Sequence, residues 1–503
     1  MQFVRRIDQL LSSITMYRLV LYGLAILAAT ALAFSGMGAL ELPWVGLAGS
    51  LLVLLGVCYV TNWLLATLWS APSGVESSLI TALILFFVLA PLTTVGDVAL
   101  VALAGLVAMA SKYVLAWRRK HIFNPAALAA AVVGVSGLYP ASWWVATPIM
   151  LPFSLLLGLL VVRKLRRFRL FLSFVVAAVV VILVVNRDQP AMSVLLTLVA
   201  SWPLVFLGTI MLTEPSTVPS RNRDILLYGA LVGAVFTSQT HIGFLYSAPA
   251  IALLLGNLYS YIVSPKYRLR LKLAQRLDLS PDITEFRFTA DRAFAFTPGQ
   301  YMDVILPHAH ADGRGNRRTF SISSSPTETT IQLTTRFYDP SSSFKQALRQ
   351  LEIGRSLTAG QLSGNFVLPP DAGQKLIWIA GGIGITPFRS MAQYLLDTKQ
   401  TRDITLFYSA NAASDFVYRE LLETARTVGV KTHYLLTGKQ IPADWQGETG
   451  FLTADIVKRA VPEHQAAVYM LSGPNVMVES YRTMLRQVGV PRRQIMTDYF
   501  SGF

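Results

Sequence analysis

The chain changes solvent part-way along. Up to about residue 264 it reads as a series of long apolar runs of the kind that cross a bilayer core. Beyond that point apolar and polar residues alternate, as in the strands of a water-exposed domain. The change falls between Tyr261 and Lys272, where IALLLGNLYSYIV gives way to SPKYRLRLKLAQRLDLSPDITEFRF. Two units suited to different media therefore share one polypeptide, and the averages of 53% hydrophobic and 14% charged residues describe neither.

About ten apolar segments precede the change, centred on Ile26, Leu55, Leu85, Leu106, Val132, Leu155, Ala178, Val199, Ala234 and Leu254. Ten crossings return the chain to its starting side. They also put Lys112, Arg118, Arg119 and Lys120 on the same face as Arg163, Lys164, Arg166, Arg167 and Arg169, with Arg221, Arg223, Lys266, Arg268 and Arg270. On the opposite face stands Arg187. The positive-inside rule then predicts a multi-pass protein of a bacterial-type inner membrane, with both termini and the polar module in the cytoplasm. Much of the net charge of +15 is thus topological, and basic residues at span ends argue against a nucleic-acid partner. The start, MQFVRRIDQLLSSITMYRL, sets Arg5, Arg6 and Arg18 beside apolar residues without a small-residue cleavage site, which predicts an amphipathic surface helix.

The single cysteine, Cys58, lies inside a predicted span, so neither an intrachain disulfide nor a four-cysteine iron–sulfur cluster is available. The apolar half holds two histidines, His121 and His241, which the trace puts on opposite sides, unlike paired axial haem ligands. The expectation is no haem, no iron–sulfur cluster and no metal site. Electrons crossing such a unit need an organic cofactor or one supplied by a partner.

In the polar half, FTPGQYMDVIL (Phe296 to Leu306) reads as a turn at Pro298 and Gly299 followed by a strand, and after a polar loop comes Arg318-Thr319-Phe320-Ser321-Ile322-Ser323. On a strand, Arg318 and Phe320 share one face while Thr319, Ser321 and Ser323 share the other. That pattern suits an anionic, planar cofactor, with a guanidinium for a diphosphate, a ring for stacking and hydroxyls for ring heteroatoms. An edge strand with a solvated arginine has the same pattern. A second motif, KLIWIAGGIGITPFRSMAQYLL, runs from a buried-type strand (Leu376 to Ala380) through Gly381, Gly382 and Gly384 into a helix starting near Thr386 and Pro387. Glycines there let backbone N–H groups approach a pyrophosphate at the helix N-terminus, although a tight strand-to-helix turn needs no ligand. Strands at Ile404 to Tyr408 and Ala467 to Leu471 end at Ser409 and at Ser472-Gly473-Pro474-Asn475, so three strand ends define the carboxyl edge of a parallel sheet.

The ordered set Gly299-Gln300-Tyr301, Arg-x-Phe-Ser, Ser342-Ser343-Phe344, Gly364-Asn365-Phe366, GGIGITP, SGPNVM and the terminal DYFSGF resembles the ferredoxin-NADP reductase superfamily over residues 266 to 503. The resemblance implies an antiparallel FAD-binding β-barrel over 265–370 and an α/β NAD(P)-binding domain with a parallel sheet over 371–503. It implies FAD contacts from Tyr301, Arg318, Thr319, Phe320, Ser321, Ser342 and Ser343, with Arg318 on the diphosphate and Ser321 near flavin N5. Gly381, Gly382, Gly384, Thr386, Pro387, Ser409, Gly473 and Pro474 are then the dinucleotide side, and Ser321, Ser472 and Phe503 stand at the reacting atoms. Where relatives have cysteine and tyrosine, this chain has Ser472 and Phe320. Ala410-Asn411-Ala412-Ala413 follows Ser409 without an arginine or lysine to grip a 2′-phosphate, which favours NADH over NADPH.

The apolar half resembles the flavin-bearing membrane subunits of the sodium-pumping NADH:quinone oxidoreductase and the Rnf complex, the NqrB/RnfD family, through IDQLLSSITMYRLVLYGL, SKYVLAWRRKHIFNPAALAAAVVG and GTIMLTEPSTVPS. That resemblance implies a polytopic α-helical domain over 1–264, with ten spans in two inverted five-helix repeats. Pro91-Leu92-Thr93-Thr94 and Pro215-Ser216-Thr217 suit broken helices at repeat-related positions. Relatives attach FMN to the threonine of Ser-Gly-Ala-Thr; here Ala146-Thr147-Pro148 keeps the threonine and lacks the serine and glycine. The expectation is a second, non-covalent flavin, FMN or riboflavin, near Thr147. Trp143 and Trp144 are either its stacking surfaces or an interfacial belt. Taken together the sequence predicts a membrane NAD(P)H oxidoreductase passing electrons through FAD and a membrane flavin to a quinone or an extracytoplasmic flavoprotein. A redox-driven Na+ or H+ pump, and a transporter or sensor with a regulatory nucleotide domain, are the alternatives.

Overall fold

The structure, a computed structural model, describes residue 11 and residues 14–498 apart from 70–73, 118–119, 220–221, 240, 243–244, 247, 265–267, 309–311 and 313–315. Most of the expected N-terminal surface helix, and Phe503, lie outside the described residues. The chain divides into two compact units, Met1–Tyr267 and Arg268–Phe503.

The first unit is helical: α1 (Met16–Gly36), α2 (Trp44–Leu68), α3 (Val75–Val88), α4 (Gly96–Val114), α5 (Pro125–Val135), α6 (Leu151–Leu165), α7 (Phe168–Val185), α8 (Ala191–Ala200), α9 (Leu204–Met211), α10 (Asn222–Thr237) and α11 (Pro249–Val263). Each of the ten expected segment centres lies in one of them. Four, α1, α2, α4 and α7, are long and apolar enough to cross a bilayer, or five if α8 and α9, bent by 62°, count as one span. The bend falls at Ser201-Trp202-Pro203, where proline cannot donate to the preceding turn. Helices α3, α5 and α11 are apolar but shorter. At ~1.5 Å per residue, α3 reaches only about 21 Å against a hydrocarbon core of about 30 Å.

Two features recur in order along this unit. Short hairpins, β1 (Ala116–Trp117) with β2 (Lys120–His121) and β3 (His241–Ile242) with β4 (Leu245–Tyr246), stand before α5 and α11. Both following helices open with a proline in the first turn, Pro125 and Pro249.

The end of α3 shows how a helix can stop among apolar neighbours. Its last carbonyls need donors, and the segment around Trp143 supplies them: Trp144 Nε1 donates to Phe86 O at 2.7 Å, Trp143 N to Val88 O at 2.9 Å and Val145 N to Phe87 O at 3.4 Å. The Trp144 ring packs edge-on against Phe86 at 5.1 Å and beside Phe87 at 5.2 Å. Both tryptophans are buried, so they form neither an interfacial belt nor an open stacking surface. Elsewhere, Gly229 and Gly233 bring α10 against the backbone of α7: an added Cβ would lie 2.8 Å from Leu170 O and 2.2 Å from Phe174 O. Thr237, four residues on, donates to Ala178 O at 3.0 Å.

The second unit contains β5 (Leu269–Ser280), β6 (Ile283–Ala290), β7 (Tyr301–Ile305), β8 (Arg317–Ser321), β9 (Ile331–Arg336), α12 (Ser343–Arg349) and β10 (Ser356–Ser363). Its strands make an antiparallel sheet in the order β8-β7-β10-β5-β6-β9. Then follow β11 (Leu376–Gly381), α13 (Thr386–Thr398), β12 (Ile404–Ala410), α14 (Arg419–Thr424), β13 (Val430–Leu436), β14 (Glu448–Thr449), α15 (Ala454–Ala460), β15 (Val468–Ser472), α16 (Asn475–Gln487) and β16 (Ile495–Asp498). These strands form a parallel sheet in the order β14-β13-β12-β11-β15-β16, and the central ones are buried throughout, as a sheet covered on both faces requires. Phe366, just past β10, packs edge-on against Phe388 of α13 at 5.5 Å, and Phe388 stacks on Trp378 of β11 at 4.9 Å. One apolar core thus continues from the antiparallel sheet into the parallel one.

Trp144→Phe keeps the ring and removes the donor to Phe86 O, so it should cost about 1–3 kcal/mol, the penalty of a buried unsatisfied carbonyl. The check is a lower unfolding temperature of the purified chain in detergent, with Trp144→Ala lower still.

Candidate functional site

Strand β8 places Arg318 and Phe320 on one face, as period-two geometry demands. The Arg318 guanidinium lies 5.2 Å from the centre of the Phe344 ring, and the Phe320 ring lies 6.0 Å from it. Arg318 Nη1 also donates to Arg317 O at 2.8 Å, and Nη2 sits 3.7 Å from Asp312. Phe344 is the second residue of α12, whose N-cap Ser342 accepts from Lys345 N at 3.3 Å. The Ser343 hydroxyl accepts from Asp312 N at 2.9 Å and lies 3.0 Å from His308 Nε2. Both hydroxyls take part in local structure, and they stand in a corner with a guanidinium and two aromatic rings. Thr319 Oγ1 donates to Asp303 at 2.6 Å, and Asp303 pairs with Arg317, so Thr319 faces that ion pair. Tyr301 starts β7 opposite Ser321 and Ser363.

The carboxyl edge of the parallel sheet gathers the remaining motifs. In β11, Ala380 pairs with Ser472 of β15 and Gly381 with Ser409 of β12. Residues Gly382–Ile385 then turn as a 3-10 helix into α13, where Thr386 Oγ1 donates back to Ile383 O at 3.2 Å and Pro387 sits in the first turn. A Cβ on Gly384 would stand 2.3 Å from Ser472 O and 2.6 Å from Gly473 Cα, so only glycine lets this turn lie against the end of β15. Gly382 has φ +51 and nothing within 4 Å of an added Cβ, a left-handed residue with an open face. Gly473 has φ +155, and Pro474 precedes α16 as its N-cap.

Strand β16 joins the two halves of the site. Asp498 pairs with Ser472, and its buried carboxyl lies next to the Ser321 hydroxyl. Burial pushes this carboxyl up to about 7, against a smaller opposite pull from Ser321. By strict geometry Ser321 Oγ, Ser472 Oγ, Ser409 Oγ and Asp498 Oδ2 are buried without a hydrogen bond among the described residues, although Ser321 acts on the Asp498 carboxyl. Buried polar atoms of this kind can be satisfied by a bound ligand. The arrangement suits FAD across β8 and a nicotinamide dinucleotide along the Gly382–Ile385 turn, with their reacting rings meeting near Ser321, Ser472 and Asp498. Asp498 and Phe344 lie in the motifs DYFSGF and Ser342-Ser343-Phe344 without a role assigned from sequence; a carboxylate three residues past the start of β16 gives no sign of burial.

Comparison with known proteins agrees with this geometry. Residues 270–367 match the oxidoreductase FAD-binding domain family, and residues 378–483 match the oxidoreductase NAD-binding domain family. The second unit is an FAD- and NAD-binding oxidoreductase module. Over 229 residues the chain is 31% identical to the phenol hydroxylase P5 protein of Acinetobacter pittii, covering 44% of this chain and 63% of that one. It is 25% identical over 214 residues to a glycine betaine monooxygenase reductase subunit of Chromohalobacter salexigens, covering 41% of this chain and 57% of that one. The match thus spans about three-fifths of each relative's own length. Amycolatopsis cytochrome P450 reductase GcoB superposes with a TM-score of 0.42 at 22% identity, covering 46% of this chain and 70% of that one.

In the helical unit, Thr147 precedes α6 and lines a cavity of about 10 Å³ with Leu151, Ser154, Trp202, Pro203 and Phe206. Its Oγ1 is buried and has no hydrogen-bond partner among the described residues. On the same unit Glu214 accepts from Asn124 Nδ2 at 2.8 Å and lies 3.3 Å from His121 Nε2. Asn257 Oδ1 accepts from Asn124 N at 2.7 Å, and its Nδ2 donates to Tyr228 at 3.0 Å.

The Asp498 carboxyl should make stability depend on pH. Its folded value lies above the ordinary 3.8, so its contribution is complete below about pH 3.8 and is lost as the pH rises through about 7. Asp498→Asn cannot titrate. Its unfolding temperature, measured from pH 5 to 8 in the flavin-free protein, should gain on the wild type as the pH rises, by an amount equivalent to a few kcal/mol at most.

Proposed function

We propose that this protein is a membrane-bound NAD(P)H oxidoreductase that draws electrons from NADH in the cytoplasm and passes them through FAD into the helical unit. The observation that carries the reading is the convergence of β8 and the parallel-sheet edge on Ser321, Ser472 and Asp498, buried polar groups left for ligands to satisfy. FAD, when bound, supplies the chemistry, taking a hydride from the nicotinamide and handing electrons on one at a time. The chain positions it: Arg318 faces the diphosphate, Phe320 and Phe344 pack beside it, and Ser321 stands at the reacting edge. Gly381, Gly382, Gly384 and Thr386 hold the dinucleotide, with Ser409, Gly473 and Pro474 closing the same edge. Asn411 is tied to Thr437 at 3.2 Å, and no basic residue follows Ser409 in this turn, which supports NADH as the donor.

The membrane assignment draws support from the four span-length apolar helices, the bent pair α8–α9, and the repeated order of hairpin, proline and helix in two successive five-helix halves. We read these as ten segments in two inverted repeats with both termini cytoplasmic. The second flavin, FMN or riboflavin, is held without a covalent bond, because Ala146-Thr147-Pro148 keeps the threonine of the attachment sequence without its serine and glycine. Trp144 does not fit the stacking role, since its indole is committed to the end of α3, and Trp143 is buried. The electrons leave to a quinone or an extracytoplasmic flavoprotein. A cation-pumping version is favoured by one observation, the interior chain from Glu214 through Asn124 and Asn257 to Tyr228.

Flavin analysis and anaerobic NADH titration of the detergent-purified chain test this reading. Two flavins per polypeptide should both bleach; FAD alone, or no bleaching, contradicts the relay. Arg318→Ala should weaken FAD binding by about 10- to 100-fold, as loss of a charge-assisted contact to a diphosphate does. NADH-driven turnover that needs Na+ would move the conclusion to the pump.

A further inference from the structure

Behind the site, the helix that leaves the glycine turn is pinned to the turn after β8 by a charged side chain. Arg389 lies on α13, three residues after Thr386, and is buried. Its guanidinium forks onto Glu328, with Nη2 donating to Oε1 at 3.1 Å and Nη1 to Oε2. Nη1 also donates to Ser323 O at 3.1 Å, two residues beyond Ser321. The next residue, Ser390, donates from Oγ to Ser324 O at 2.6 Å. Glu328 is itself fixed, accepting from Ser325 N at 2.6 Å and from Gln332 Nε2 at 2.9 Å. The guanidinium lies 5.6 Å from the Tyr418 ring, whose hydroxyl bonds Glu285 at 2.7 Å and Thr334 at 2.6 Å. Every one of these partners in the antiparallel sheet sits on β6, β9 or the turn between β8 and β9.

We infer that Arg389 is a positioning residue for hydride transfer, holding the dinucleotide helix at a fixed offset from Ser321, and Ser390 is its second pin. The inference rests on the reading of this module as the place where NADH meets FAD. Two electrons and a proton move together as hydride from nicotinamide C4 to flavin N5, leaving NAD+ and reduced flavin. That transfer tolerates little error in distance, so a pin between the two elements acts on rate rather than on affinity. Arginine's planar fork suits this role, because one side chain spans a carboxylate and a carbonyl at once. An arginine placed only to stabilise the fold would leave the transfer rate per bound flavin untouched.

The test uses the full chain in detergent, with Arg389→Met, Arg389→Lys and Ser390→Ala beside the wild type. Four quantities are read: FAD per polypeptide, the NAD+ dissociation constant, the charge-transfer absorbance formed on mixing with NADH, and the single-turnover rate of flavin bleaching. With FAD content preserved, Arg389→Met should hold NAD+ within about threefold of wild type while bleaching about 10- to 100-fold more slowly and losing charge-transfer absorbance. Arg389→Lys should recover part of the rate, and Ser390→Ala should show a smaller loss of the same kind. Unchanged rates per bound FAD in Arg389→Met and Ser390→Ala, or losses that only track FAD content or unfolding temperature, would overturn the inference. If Arg389→Met does not fold, Arg389→Lys and Ser390→Ala decide by the same criteria. Failure of the wild type itself to bleach with NADH would instead reject the underlying reading of the module.

Discussion

The approach of the Gly382–Ile385 turn to the end of β15 is the constraint on which the nucleotide side of the molecule depends. With Ser472 O only 2.3 Å from where a Cβ of Gly384 would stand, the turn and the strand end share a space that no side chain can enter. That contact fixes where α13 begins, and hence where its unpaired N–H groups lie relative to Ser472 and Ser409. The β16 pairing then carries Asp498 up to Ser321 across the same edge. Backbone proximity, rather than any single side chain, sets the geometry in which two cofactors can face each other. The side chains add the polarity: three hydroxyls and a carboxyl pushed toward neutrality by burial.

The helical unit answers a different problem with the same accounting. A helix that ends buried among apolar neighbours leaves carbonyls that need donors from the protein. At the end of α3 the donors come from Trp143, Trp144 and Val145. The N-terminus of α5 is satisfied by its own Asn124 cap, which accepts from Ala127 N at 3.0 Å, and Asn257 of α11 takes up Asn124 N. Helices are thus interrupted where a polar residue or a folded-back segment meets the exposed backbone groups. A polar chain from partly exposed Glu214 through Asn124 and Asn257 to buried Tyr228 stands beside those interruptions.

Much of this was legible in the residues. The change of medium near Tyr261 follows from hydropathy alone, and the strand ends at Gly381, Ser409 and Ser472 follow from buried-type runs stopped by small residues. Helix lengths were harder to read. A run such as Pro125–Val135 is apolar all round, and apolarity says that a segment is buried without saying by what. The tryptophans illustrate the same limit: Trp143 and Trp144 carry the signature of an interfacial belt, yet the carbonyls of α3, distant in sequence, decide their place. Ser342 and Ser343 were legible as a turn but not as an N-cap already in use. Arg389 and Glu328 show nothing in sequence, since 61 positions separate them and only the docked sheets reveal the pair.

One chain is proposed to take electrons from NADH at its FAD module and deliver them through its helical unit to a quinone or an extracytoplasmic flavoprotein. Sealed vesicles bearing the purified protein with the module outward, and holding a trapped, membrane-impermeant electron acceptor, test it directly. External NADH should reduce the trapped acceptor at a rate that disappears in Arg318→Ala. A trapped acceptor and an added membrane quinone that both stay oxidised while FAD is reduced, and while an external acceptor is consumed, would contradict the account and confine electron transfer to the FAD module.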